Sequence, residues 1–109
     1  MHSLASYFLE REGFDSIVVD GGFATYRVNG DECYIRDIWC HPENRNRGVA
    51  TAMADVIATK ARSFGCKYLT GSVDTTKGDP TASTKVLLAY GFKVFSAVQG
   101  GIYFRKELN

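Results

Sequence analysis

The stretch Arg45-Asn46-Arg47-Gly48-Val49-Ala50-Thr51 sets two full positive charges beside a glycine and a small residue where a helix should open. It follows a strand-like run, Cys33 to Cys40, that Pro42 closes. The N–H groups of a first helical turn have no partner within the helix, and the helix dipole adds partial positive charge at the same end. Gly48 lets a ligand approach the backbone closely, Ala50 keeps the helix start small, and Arg45 and Arg47 add formal charge. A cradle of this kind can hold a polyanion, and a pyrophosphate is its natural occupant.

The elements that must position the cradle are legible from periodicity. Residues 4 to 12 place Leu4, Tyr7 and Phe8 on one helical face, and Gly13 stops that helix. Residues 16 to 20 are a β-branched run, 23 to 28 alternate as a strand, and Asn29-Gly30-Asp31 is a hairpin turn. The strand from 33 to 40 follows. Val49, Met53, Val56, Ile57, Ala61 and Phe64 then recur at helical spacing from about 48 to 64, with Gly65 as the stop. Residues 68 to 73 form a buried strand in which Gly71 marks a close approach. Asp79 or Thr81 caps a helix reaching Ala89, and Gly91 ends it. A final hairpin, 93 to 98 and 102 to 106, crosses Gly100-Gly101. The order is α-β-β-β-α-β-α-β-β.

Bulk properties exclude several classes. At 109 residues the chain is expected to be one domain, 1 to 109, with ordinary globular composition, 45% hydrophobic and 23% charged. A net charge of +1 gives no strong pull toward nucleic acid or an anionic membrane. No apolar run approaches the roughly 20 residues of a membrane span. No secretory signal is visible, and Cys33, Cys40 and Cys66 lack C-x-x-C spacing, so a cytoplasmic protein with reduced core cysteines and no metal is expected.

The pattern R-x-x-G-x-A after a strand resembles motif A of the GNAT superfamily, the acyl-CoA-dependent N-acyltransferases. A second segment, Ser83-Thr84-Lys85-Val86-Leu87-Leu88-Ala89-Tyr90-Gly91-Phe92, is similar to that family's helix closing in a Gly-Phe pair. The resemblance covers roughly residues 22 to 108. It implies an α+β fold: a mixed, mostly antiparallel sheet with helices on both faces and a central parallel strand pair, 33–40 and 68–73, that splays to admit the donor. Set against the family's order, the first strand and one early helix are missing. Those early helices usually wall the acceptor site, so either a large acceptor or a second subunit would complete it.

The same resemblance implies acetyl-CoA as donor and a primary amine as acceptor. Arg45, Asn46, Arg47, Gly48, Val49, Ala50 and Thr51 would hold the pyrophosphate, and the main chain of Ile38, Trp39 and Cys40 would pair with the pantetheine and polarise the thioester carbonyl. Strand alternation sends Ile38 and Cys40 toward the core and Asp37 and Trp39 to the opposite face. Asp37 is the general-base candidate, with Asp74, Glu32, Glu43 and solvent as competitors; its plainer reading is a surface carboxylate paired with Arg36 or Arg27. Many members carry a tyrosine four residues before the Gly-Phe glycine, where Leu87 stands here. The run is closer to the branch that acetylates protein N-termini, in which a serine at the Ser83 position could serve the leaving thiolate. Ser83 is equally readable as an ordinary first-turn residue. His2 and His41 read as structural, and Tyr90 as more structural than catalytic.

The rival from another class is a GNAT-fold module that binds acyl-CoA, or a protein partner, without turnover. A nucleic-acid modifier is disfavoured by the near-neutral charge. A homodimer is expected to cover apolar positions at the edges: Val18, Val19 and Phe23 at one, and Val94, Phe95, Val98, Ile102, Tyr103 and Phe104 in the terminal hairpin.

Overall fold

Period-two alternation punctuated by glycines builds six strands, and period-3.6 segments fill two gaps between them. In a computed structural model of the protein, which describes residues 13–45 and 48–108, the strands are β1 (Asp15–Val19), β2 (Gly22–Asn29), β3 (Glu32–Cys40), β4 (Tyr68–Asp74), β5 (Lys93–Val98) and β6 (Gly101–Glu107). The helices are α1 (Val49–Ser63), between β3 and β4, and α2 (Pro80–Tyr90), between β4 and β5; a single 3-10 turn, Pro42–Asn44, leads toward α1. The helix expected over residues 4 to 12 lies outside the described residues.

The sheet order is β1-β2-β3-β4-β6-β5. Every neighbouring pair is antiparallel except β3 and β4, which run parallel. That pairing covers only Glu32↔Tyr68 through Ile35↔Gly71. Beyond it the two strands separate, as the expected splay requires. The cause lies in β3 itself. Its register with β2 pairs Tyr26 with Ile35 and then Thr25 with Asp37, so Arg36 is an extra, bulged residue. A bulge bends its strand and re-aims the residues beyond it.

Both described helices pack against one face. Met53, Ile57, Ala58 and Ala61 of α1 share a core with Ala24, Tyr26, Cys33, Ile35, Leu69, Val73 and Phe104, and Leu87 and Tyr90 of α2 pack on its edge. Met53, Ile57 and Ala61 are buried as their helical spacing predicts. Val56 and Phe64, placed on the same face, are exposed instead, and Ala54 and Ala58 take up the buried stripe. Two small residues let the helix sit close to the sheet, which the bulkier pair would not. Tyr90 donates its hydroxyl to Asp55 Oδ1 at 2.5 Å and ties α2 to α1, the structural role expected of it. Asp79 accepts from the Ala82 N–H at 3.0 Å and so caps α2, with Pro80 in its first turn.

The close backbone approach expected at Gly71 lies elsewhere. A Cβ at Gly71 would make only ordinary contacts, whereas one at Gly22 would fall 2.5 Å from the Trp39 carbonyl oxygen and 3.1 Å from Met53 Cε. Gly22 pairs with Cys40. A side chain there would push β2 off the end of β3 where the loop begins. Phe104 and Ile102 are likewise corrected: Phe104 is fully buried and Ile102 packs on the core, because both alternate onto the helix side of β6. Val18, Val94, Phe95, Val98 and Tyr103 are exposed as expected, and β1 and β5 are the two sheet edges.

Candidate active site

The splay leaves one strand edge bare. Past the bulge, β3 is hydrogen-bonded to β2 on one side only, so the backbone of Asp37 to Cys40 presents a free edge toward β4. Ile38 pairs with the fully buried Ala24, yet it remains 37% exposed. This corrects the expectation that Ile38 packs into the core. Ile38 lies beyond the end of the β3–β4 pairing, so β4 does not flank it. Cys40 is half-buried against the core, as expected.

At the end of β3 the chain passes through the 3-10 turn and reaches Gly48, which precedes α1 in a left-handed conformation, φ 80° and ψ 8°. An L side chain is strained there. A Cβ at Gly48 would meet nothing within 4 Å. The first helical bond is Ala52 N–H to Gly48 O at 2.9 Å, so the N–H groups of Val49, Ala50 and Thr51 precede the ladder and face the helix N-terminus unpaired within it. Open space, three donors and a positive dipole end suit a pyrophosphate. Arg45 is committed differently: its Nε–H donates to the Cys40 carbonyl at 3.2 Å and ties the loop to the strand end. Asn46 and Arg47 lie outside the described residues. His41 is structural, its N–H donating to Gly21 O at 2.7 Å and its Nδ1 accepting from the Glu43 N–H at 3.2 Å.

The face opposite α1 and α2 carries the polar chemistry. Asp37 and Trp39 both lie on it, as alternation predicts, with Trp39 stacked on Phe23 at 5.8 Å between ring centroids. Asp37 Oδ2 accepts from the hydroxyl of the wholly buried Thr25 at 2.7 Å and from Arg36 Nε–H at 2.9 Å. The expected ion pair with Arg36 is therefore present, while Arg27 instead stacks on Phe14 at 4.7 Å. Further along this face, Tyr34 and Ser72 share a hydroxyl–hydroxyl bond of 2.9 Å across β3 and β4, where their pairing ends. A cleft of about 460 Å³ beside it is lined by Arg27, Tyr34, Thr70, Phe95 and Tyr103 among others. The Thr70 hydroxyl is buried there with no hydrogen-bond partner. A second, more open cleft of about 420 Å³ lies by Trp39, Phe23, His41, Asp20 and Glu43.

Competitors for the base role are dispersed. Asp74 closes a turn, accepting from the Thr76 N–H at 2.8 Å and the Thr76 hydroxyl at 2.5 Å, and these bonds hold its carboxyl below the usual range. Ser83 sits in the first turn of α2 with its N–H on Asp79 O at 3.2 Å and its side chain exposed. Leu87, standing where many relatives carry tyrosine, is half-buried against the core near Gly71. Among the described residues no group of three His, Cys, Asp or Glu could hold a metal, and no helix is long and apolar enough to cross a membrane. All three cysteines are free; burial pushes the Cys33 thiol up to about 12 and raises that of Cys66.

Sequence reading named Arg36 as a partner of Asp37 but missed Thr25, Tyr34 and Ser72. A hairpin count outward from Asn29↔Glu32 without a bulge puts Arg36, not Asp37, opposite Thr25. The only available signal was a threonine in the apolar-rich first half of β2, between Ala24 and Tyr26.

The model of the acetyltransferase (GNAT) family matches residues 6–92. The chain belongs to the GNAT acetyltransferase family. Solved GNAT structures share its fold at low identity. A GNAT-family protein from Desulfovibrio desulfuricans superposes with a TM-score of 0.80 at 15% identity, over 88% of this chain and 70% of its own. The PaiA N-acetyltransferase of Thermoplasma acidophilum, solved with coenzyme A, gives 0.74 at 13% identity, over 86% and 59%. The ribosomal-protein-S18-alanine N-acetyltransferase of Escherichia coli gives 0.69 at 16% identity, over 89% and 70%. No curated protein sequence matches at a significant level. The α+β sheet with its splayed parallel pair is thus a GNAT fold.

Proposed function

We propose that this GNAT chain transfers an acetyl group from acetyl-CoA to a primary amine, by direct attack of the amine within a ternary complex. The observation that carries the reading is the free edge of β3 ending one short turn before a left-handed Gly48 and the open N-terminus of α1. The donor supplies an activated acetyl carbon and a thiolate leaving group. Val49, Ala50 and Thr51 N–H groups bind its pyrophosphate, with Asn46 and Arg47 contributing as neighbours of Gly48, and Arg45 orders the loop through Cys40. Main-chain groups of Ile38, Trp39 and Cys40 align the pantetheine and polarise the carbonyl, a contribution of roughly 2.7–4 kcal/mol where one such donor has been deleted. Asp37 takes or relays the proton of the attacking ammonium on the face opposite α1 and α2. Ser83 at the start of α2 serves the departing sulfur. The acceptor class is a protein N-terminus or another primary amine, the former supported by the serine and leucine at positions 83 and 87. A homodimer covering the β1 and β5 edges would complete the acceptor wall.

Leu87 packed on the core favours one second reading: acyl-CoA binding, or partner binding, without turnover. One experiment separates the two. Calorimetry with acetyl-CoA measures binding, and thiol release with alanine-initiated peptides, polyamines and aminoglycosides measures turnover. Binding with acceptor-dependent thiol release supports transfer; binding without release from any acceptor supports the module; no binding refutes both.

A further inference from the structure

We propose that Thr25 and the bulged Arg36 are positioning residues that clamp one oxygen of Asp37, leaving the other for the acceptor amine. The inference rests on the reading of Asp37 as the group that acts on that amine. Thr25 is the one fully buried polar residue among those described, and its hydroxyl spends its proton on Asp37 Oδ2 at 2.7 Å. Arg36 Nε–H addresses the same oxygen at 2.9 Å. Arg36 is held in turn: its guanidinium lies over the Phe14 ring, 4.0 Å from the centroid, and that ring also carries Arg27. An ionised carboxylate offers about four acceptor sites on two oxygens. Both protein donors converge on Oδ2, and among the described residues no group donates to Oδ1.

The geometry depends on the bulge. Without the extra residue Asp37 would oppose Ala24 and turn toward the side of α1 and α2; with it, Asp37 opposes Thr25 on the other face. A bulge that re-aims one side chain beside a splayed strand is a recurrent device at active sites. The side chain of Asp37 is 47% exposed while its threonine partner is wholly buried, so the carboxylate sits at the boundary, anchored from within and open outward. A carboxylate free to rotate would spread its acceptor geometry over many orientations, and positioning is worth large factors in rate.

The test is a set of variants assayed for kcat and KM with acetyl-CoA and the best acceptor of the panel. Thr25→Val keeps the β-branched shape and removes the donor; Thr25→Ser keeps the donor. Thr25→Val should lower kcat roughly 10-fold to 100-fold, the range for a lost hydrogen bond to a charged group, with KM for acetyl-CoA unchanged. Thr25→Ser should restore most of it. In an Asp37→Asn background, Thr25→Val should cost nothing further, because the two act as a unit. If Thr25→Val does not fold by circular dichroism, Arg36→Met carries the same comparison. A full rate in Thr25→Val, or an equal loss in the Asp37→Asn background, overturns the clamp while leaving Asp37's role intact. A full rate in Asp37→Asn itself overturns both.

Discussion

Replacing Gly48 separates two properties that its position combines. The residue lies at φ 80°, where an L side chain costs about 1–2 kcal/mol, but an added Cβ meets nothing within 4 Å. Gly48→Ala should therefore destabilise the fold by that amount, a fall in Tm of roughly 4–8 °C per kcal/mol for a domain near this size. Gly48→Asn should lose less stability, since asparagine tolerates the left-handed region. Binding ranks differently. The empty volume before α1 is where the pyrophosphate would lie, so every side chain intrudes on the ligand rather than on the protein. In Gly48→Glu a carboxylate at about 4 Å from a phosphate charge costs about 1 kcal/mol in water-like surroundings and about 4 kcal/mol near a protein surface. Affinity for acetyl-CoA should fall from roughly 5-fold to several hundred-fold, before any steric term. Calorimetry at a temperature well below each variant's Tm keeps the two effects apart. Wild-type affinity in a folded Gly48→Glu variant would refute the cradle and with it the assignment of the α1 N-terminus.

Asp37→Asn should lower kcat with little change in acetyl-CoA affinity, and the deficit should shrink at high pH as the amine deprotonates in solution; an unchanged rate at pH 7 returns Asp37 to an ion pair with Arg36. Gly22→Ala should destabilise by about 1–3 kcal/mol, since its Cβ would overlap the Trp39 carbonyl, and a melting curve equal to wild type would contradict that contact. Stability should fall with rising pH from about 9: burial raises the Cys33 thiol from 9.0 to about 12 and lifts the Tyr26 and Tyr90 phenols above their ordinary 10.0. Groups held protonated in the fold contribute fully below their unfolded values and lose that contribution as pH climbs toward the folded ones, so denaturant midpoints flat from pH 8 to 11 would contradict it. Sedimentation equilibrium at micromolar concentration should show a dimer, and a single 12.0 kDa species would rule it out.

The order of the described elements and their ends were written locally. Asn29-Gly30-Asp31 turns a hairpin, Asp79-Pro80 opens a helix, and Gly48 precedes another, because turn and cap preferences act over four or five residues. The face of each residue in β3 was not local. Alternation counted from Ile38 and Cys40 puts Asp37 and Trp39 on the face away from α1 and α2, but counted from Cys33 and Ile35 it would put them on the opposite one; the bulge at Arg36 is what decides between the two counts. A one-residue shift in register exchanges the faces of everything beyond it, and which residue is left unpaired depends on the partner strand and the packing of both faces. Tertiary structure alone therefore decided that Thr25 meets Asp37, that Arg45 is spent on Cys40, and that Ile38 borders an opening. The first follows from the register shift of β3 against β2, the second from the path of the loop, and the third from the parting of β3 and β4 after only four paired residues.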